Sequence, residues 1–308
     1  MNADAITFDN VAWADAAPKL SMLIPFHRDD PTRLMAALDL SDAPVEIVLL
    51  DDGSDDAALA GRVADSVKAM RLPVRFVRLL VNQGRAIGRN RLASEARGRH
   101  LLFLDSDMLP DAPDFLLRWL HLIDLEDPAV AFGGFSLDQA PKTRANAVHR
   151  AMALRSDCVP VALRQLAPEK HVFTSNLLIR RDVFDAEPFD AGFVGWGWED
   201  VEWGMRVSRR HRIHHIANPA THLGLSPAAA IAAKFEQSAA NFARVVAAHA
   251  DIVCSYPSYR AARALKRAPL RSLWRPWLKA AAMVELAPAG ARAFALRLYR
   301  AALYAEAV

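Results

Sequence analysis

Leu101-Leu102-Phe103-Leu104-Asp105-Ser106-Asp107 is an apolar run that ends abruptly in two carboxylates, two residues apart. The run predicts a buried strand, and α/β sheets gather their ligands at the carboxyl ends of such strands. Two acids placed there suit a hard divalent cation, which in turn offsets the charge of bound phosphates. Without a cation, burying both charges would be costly. A plainer reading makes Asp105 and Asp107 a strand-end turn and a helix cap, roles that Asp often fills. These residues alone leave both readings open.

Working outward, Ser21–Pro25, Val45–Leu50 and Val74–Leu79 are further strand-like runs, the second interrupted only by Glu46. Between them lie helical patterns. Asp29-Asp30-Pro31 starts one, Leu59, Val63, Val67 and Met70 recur at helical spacing, and residues 84–96 form another. Phe115, Leu116, Trp119, Leu120 and Ile123 share one helical face. Alternating strands and helices imply an α/β fold with a largely parallel sheet. Its carboxyl edge carries Pro25-Phe26-His27, Asp51-Asp52 and the Asp105/Asp107 pair. Further on, residues 176–179 and 213–216 read as strands. Glu199-Asp200 opens a helix to about Arg210, and Phe235, Ser238, Phe242, Val245 and His249 mark a long helix.

The 308 residues are 53% hydrophobic and 24% charged, a globular composition. A formal charge of +3 gives no reason to expect nucleic acid as a partner. The two cysteines, Cys158 and Cys254, form no CxxC, which argues against a disulfide framework or structural zinc and fits a reducing compartment. Met1–Leu20 lacks a long apolar core and is not expected to be a secretory leader. No apolar run reaches the length of a membrane span.

Other motifs cluster on the same edge. Asp51-Asp52-Gly53-Ser54 either accepts the N3–H of a uracil ring or is a simple Asp-Gly turn, with Ser54 or Asp55 capping the next helix. Gly84-Arg85 and Arg89-Asn90 place two arginines at a helix start. There they either meet phosphate or form a solvated face. Trp196-Gly197-Trp198-Glu199-Asp200 sets two aromatics beside two acids. Aromatic faces pack on sugar rings, and an acid at a helix start suits a general base. Alternatively Trp198 and Trp203 are core and one acid is a plain cap. His222 would supply the nitrogen donor that a two-carboxylate metal site lacks.

In their order and spacing these residues resemble the family 2 glycosyltransferases of the GT-A fold, from about Ser21 to Gly224. Gly195–Asp200 is also similar to the acceptor-side motif of β-1,4-galactosyltransferases and bacterial chondroitin polymerases. The resemblance implies a Rossmann-like, mostly parallel sheet flanked by helices. It implies a DxD motif at Asp105–Asp107 that holds Mn²⁺ or Mg²⁺ on the donor diphosphate. Asp107 is then the metal ligand, Asp105 orients ribose or metal, and His222 is a third ligand, with His214 and His215 as competitors. Asp52 reads uracil. Pro25, His27, Gly84, Arg85 and Arg89 complete the nucleotide-sugar side. Glu199, Trp196 and Trp198 bind the acceptor, and Asp200 deprotonates its hydroxyl.

The implied activity is inverting transfer from a nucleoside diphosphate sugar, UDP-linked by preference. The acceptor is a glycan or lipid-linked glycan, in bacterial surface polysaccharide synthesis. Retaining transfer is the alternative, as in the polypeptide N-acetylgalactosaminyltransferases. A nucleotidyltransferase and a non-catalytic nucleotide-sugar-binding module stand behind it. The expected organisation is a GT-A domain over 1–255, with a nucleotide-sugar half at about 20–135 and an acceptor half at about 136–225, and a basic amphipathic helical tail over 256–308. In that tail Arg263, Lys266, Arg267, Arg271, Arg275 and Lys279 interleave with Leu, Trp and Phe. Either the tail lies on an anionic membrane surface, at the cytoplasmic face, or it packs back on the domain. Pro276 and Pro288 predict two or three short helices there.

Overall fold

The computed structural model describes residues 4–39 and 43–308. Residues 1–3 of the stretch read above for a leader lie outside the described residues. The first half alternates β1 (Ala5–Asp9), β2 (Leu20–Phe26), α1 (Thr32–Leu38), β3 (Val45–Asp51), α2 (Ala57–Ala69), β4 (Val74–Leu79), α3 (Arg85–Glu95) and β5 (His100–Phe103). Then follow β6 (Met108–Pro110), α4 (Phe115–Glu126), β7 (Val130–Phe132), β8 (Phe135–Ser136), α5 (Ala147–Ser156), α6 (Val161–Arg164), β9 (Leu177–Arg180) and α7 (Arg181–Ala186). The remainder comprises α8 (Glu199–Ser208), β10 (Ile213–His215), β11 (Ala220–His222), α9 (Ala228–Ala248), α10 (Ala250–Val253), α11 (Pro257–Lys266), α12 (Arg271–Met283) and α13 (Ala289–Tyr304).

Eight strands form one sheet in the order β1-β4-β3-β2-β5-β9-β7-β10. Its centre, β4-β3-β2-β5, is parallel, while β1 and β9 run antiparallel to their neighbours. The chain order reverses between β2 and β5, and open α/β sheets place ligands outside the carboxyl ends of the strands at such a point. That end carries His27, Asp52 and Asp105, as the sequence pattern predicts. A second sheet, β6-β11-β8, stands next to it. Its strands of two or three residues left no periodic signal in the sequence.

The central strands are buried on both faces, which explains their nearly continuous apolar runs. Met22, Ile24, Ile47, Leu49 and Leu102 point to one core, and Leu23, Val48, Leu50, Leu101 and Phe103 to the other. Glu46, an acid in the middle of β3, is buried and paired: Ser21 Oγ donates to Oε1 at 2.6 Å and Arg97 Nε to Oε2 at 2.8 Å. Trp119 is fully buried on α4, with Phe115, Leu116, Leu120 and Ile123 beside it as expected.

A third core joins α5, α8 and α9 to the C-terminal helices through Val201, Met205, Phe242, Leu296, Tyr299 and Tyr304. The C-terminal segment therefore folds back. Three helices form, but α12 runs through Pro276, where the sequence predicted a break. Packing against α13 outweighs the local penalty of roughly 3 kcal/mol. No helix among the described residues is long and apolar enough to cross a membrane.

Leu296 on α13 is fully buried in this third core. Leu296→Ala is expected to cost about 2–5 kcal/mol. Urea unfolding followed by tryptophan fluorescence should show a lower midpoint and a single transition. An unchanged midpoint would mean that α13 is not part of the core.

Candidate functional site

Three strand ends and one loop converge. At the end of β3, Asp51 is fully buried and its Oδ1 accepts the Ser54 amide at 2.9 Å, closing the turn. Asp52 faces the other way. Its Oδ1 accepts the Gln83 amide at 2.7 Å, and its Oδ2 accepts the Gly84 amide and Asn82 Nδ2 at 3.0 Å each. Gly53, at φ 69°, lies against the Val81–Asn82 backbone, where any Cβ would collide. Asp52 thus draws the 82–84 loop onto the sheet edge and starts α3. The α2 cap is Asp56, which accepts from the Leu59 amide, rather than the expected Ser54 or Asp55. His27 Nδ1 donates to the Asp52 carbonyl at 2.9 Å, and Pro25 sits one residue behind Phe26 in β2.

No helix follows Asp107; β6 does, so the helix-cap reading fails. Antiparallel pairing of β6 with β11 sets His222 opposite Met108 and so brings its ring to the neighbouring Asp107. His222 Nε2 is 3.2 Å from Asp107 Oδ2. Gly224 packs so closely on that carboxylate that a side chain there would strike it. The competitors lie elsewhere: His215 is buried between Arg164 and the Pro168 carbonyl, and His214 faces Glu126. Burial alone would raise the Asp107 pKa, but the bond and charge of His222, then Arg85, hold it below the usual carboxylate range. For His222, burial acts downward and Asp107 outweighs it, so the imidazole titrates above its ordinary value. The neighbouring His149, its ring centroid 5.6 Å away, is pushed down to about 4 by burial and then by the charge of His222.

Of the two α3 arginines singled out in the sequence, Arg89 is buried and Arg85 keeps 38% of its side chain exposed. Arg89, 1% exposed, donates through Nη2 to Asp105 Oδ1 at 2.8 Å and through Nη1 to Glu199 Oε1 at 3.4 Å. Arg85 Nε reaches the same Glu199 oxygen at 2.5 Å. Asn90, read beside Arg89, is a brace that exchanges two bonds with the Phe189 backbone. Glu199 is 2% exposed, so it faces the guanidinium groups and not open solvent. Burial would raise its pKa, but Arg85 and Arg89 hold it low. Asp200, the next residue, is half-buried. Burial and then the Glu199 charge push its pKa up to about 7.

The loop that delivers these acids is held from the C-terminal side. Gly195, Gly197 and Trp198 all have positive φ, Trp198 at 77° as the cap of α8. Trp198 Nε1 donates to Tyr304 Oη at 2.9 Å, and Ser238 Oγ lies 2.7 Å from the same hydroxyl. Asn241 Nδ2 donates to the Gly197 and Val194 carbonyls at 2.8 and 3.1 Å. Trp203 is fully buried in the core, and Trp196 is half-buried beside Phe235. Lys234 Nζ stands 5.9 Å from the Trp196 ring centroid. Tyr304, Asn241, Gly224 and His149 escaped the sequence reading, because each acts through a partner distant in the chain.

Among the described residues no three His, Cys, Asp or Glu side chains group as a complete metal shell. Asp107 with His222 nevertheless gives one oxygen and one nitrogen donor side by side. That pair is a donor set for an ion that completes its shell with other ligands.

Residues 21–186 match the family described as glycosyl transferase family 2. An uncharacterized glycosyltransferase of Bacillus subtilis (strain 168), YfnE, is 26% identical over 239 residues, 61% of this chain. The match spans 60% of that relative's length. Among solved structures, S. aureus TarS 1–349 has a TM-score of 0.54 at 15% identity, covering 94% of this chain and 90% of its own. The same protein has been solved with UDP-GlcNAc, at a TM-score of 0.52 and 16% identity with the same coverage. Mannosyltransferase PcManGT from Pyrobaculum calidifontis, in complex with GDP-Man and Mn²⁺, has a TM-score of 0.57 at 14% identity, covering 94% and 88%. These likenesses show the GT-A fold.

The Asp107–His222 pair is open to a direct check. In an NMR titration of the histidine ring protons, His222 is expected above the ordinary imidazole pKa, and Asp107→Asn should remove the elevation. A His222 indifferent to that substitution would mean that the pair does not form in solution.

Proposed function

The chain belongs to glycosyl transferase family 2, and on that premise we propose that it transfers a sugar with inversion from a nucleoside diphosphate sugar to a hydroxyl of a glycan or lipid-linked glycan. The observation that carries this reading is a buried guanidinium, Arg89, joining Asp105 to Glu199, the residue before Asp200. It sets a diphosphate-side group and a candidate base in one cleft. The family membership and the fold of TarS and PcManGT support the substrate class, and the biological setting we infer is bacterial surface polysaccharide synthesis.

On the donor side, Asp107 and His222 would hold Mn²⁺ or Mg²⁺, with Asp105 adjacent. Such an ion supplies charge compensation for the diphosphate. Asp52 has room for one more bond. A carboxylate accepts about four, and the 82–84 loop fills three, leaving one lone pair of Oδ1 for a uracil N3–H. We therefore favour a UDP-linked donor. His27, Pro25 and Gly84 line the same edge. Arg85 and Arg89 act toward the nucleotide sugar through Asp105 and Glu199, which they hold in place.

On the acceptor side, Trp196 and Trp198 offer aromatic faces to a sugar ring, and Glu199 binds through the carboxylate oxygen that the arginines leave. Asp200 takes the proton of the attacking hydroxyl. As that oxygen bonds to the anomeric carbon, the bond to the diphosphate oxygen breaks on the opposite face and its electron pair leaves with the diphosphate. An α-linked donor gives a β-linked product. A base with a pKa near 7 is well matched to neutral pH. In this scheme residues 1–255 carry the chemistry and the 256–308 helices brace the acceptor loop.

Two outcomes test the proposal. Asp200→Asn is expected to lower transfer by roughly 10²–10⁴-fold with UDP affinity by calorimetry unchanged. Because Asp200 must be deprotonated, wild-type kcat/KM should climb with pH through about 7. Near-normal transfer by the variant would remove Asp200 from the role of base. Separately, nucleoside diphosphate release from a sugar donor should cease in excess EDTA and in Asp107→Ala. Full turnover under EDTA would reject the metal.

A further inference from the structure

The inward face of α12 packs on α13 through Ala282 and Leu278, while its outward face is apolar. Leu273 is 64% exposed and Trp277 75%, with Leu270 before the helix and Val284 after it also exposed. Their spacing of three, four and seven residues makes one stripe along the helix. Three exposed arginines, Arg260 and Arg263 on α11 and Arg267 just after it, precede the stripe in the chain, and none has an ion pair among the described residues. Other cations of the region are already used: Arg275 pairs with Glu306 and Lys279 with Glu236. Arg271, also counted above in this basic segment, lies outside the residues whose side chains are described.

We infer that the α11–α12 face is a docking surface for an anionic phospholipid bilayer, on which α12 lies in the interface with Leu273 and Trp277 inserted and Arg260, Arg263 and Arg267 among the headgroups. An apolar stripe with tryptophan, preceded in the chain by exposed arginines without ion pairs among the described residues, is the pattern of an interfacial segment. Each basic residue near such a surface adds attraction to the anionic leaflet. A second copy fits less well, because a twofold contact over this face would bring two sets of unpaired arginines together. The two alternatives for the C-terminal segment thus divide between its helices: α13 is core and α12 is surface. This inference does not depend on the proposed reaction, since binding is read without substrate.

The test is sedimentation of the full chain at low salt with vesicles of phosphatidylglycerol and phosphatidylcholine in equal parts, and with phosphatidylcholine alone. The protein is expected to pellet with the anionic vesicles only, and to be released by salt. Leu273→Ser/Trp277→Ser and Arg260→Gln/Arg263→Gln/Arg267→Gln are each expected to weaken partitioning by more than about tenfold. All of these side chains are exposed, so the melting transition should not move. No partitioning by the wild type, or equal partitioning of wild type and both variants, would overturn the inference. So would light scattering showing a wild-type dimer that the Leu273/Trp277 variant dissolves, because the face would then join two copies.

Discussion

One buried cation holds this molecule's two halves in register. A guanidinium taken out of water needs opposite charge beside it, and Arg89 finds that charge in Asp105 at the end of β5 and Glu199 at the start of α8, although its Nε has no hydrogen-bond partner. Arg89 pairs with both acids, and Arg85 also comes within 4.0 Å of Asp105. Arg85 adds a second cation on Glu199. The consequence reaches one residue further. Asp200 inherits both the burial and the negative charge of its neighbour, and its raised pKa follows from that position. The fixed ion pairs and the raised pKa of Asp200 arise together.

The strained loop ahead of α8 depends on a second constraint. A tryptophan at φ 77° occupies a region that bulky residues rarely adopt. It persists because its indole N–H is bonded to Tyr304, its ring packs on Phe242 at 5.0 Å, and Asn241 holds the carbonyl of Gly197. Helices α9 and α13 therefore brace the loop ahead of α8, and α9 also sets the Lys234 charge near Asp107 and Asp105. That arrangement also explains why the last helix carries a tyrosine whose hydroxyl is buried between Trp198 and Ser238.

Much of the sheet's carboxyl edge was legible in the sequence, since apolar runs ending in acids report both the strands and the direction of their ends. The 3.6-residue pattern of α4 read correctly for the same local reason. What escaped depends on long-range pairing. Only the β6–β11 register tells His222 from His214 and His215. Arg85 and Arg89 looked like solvated or phosphate-facing groups because Glu199 is more than a hundred residues away in the chain. Periodicity in the C-terminal segment showed amphipathic helices but not what each face meets, and Pro276 misled because α13 supports α12 across it. Gly224 has no local signature: its importance is the space it leaves for Asp107.

The central claim is that Arg89 unites the nucleotide side with the base side. It is tested most directly by Arg89→Gln, with UDP affinity measured by calorimetry, transfer by nucleoside diphosphate release, and the melting transition as the check on folding. The account predicts a folded variant in which both UDP binding and transfer are lost together, because Asp105 and Glu199 can no longer be held in place. A folded variant that keeps both would contradict it.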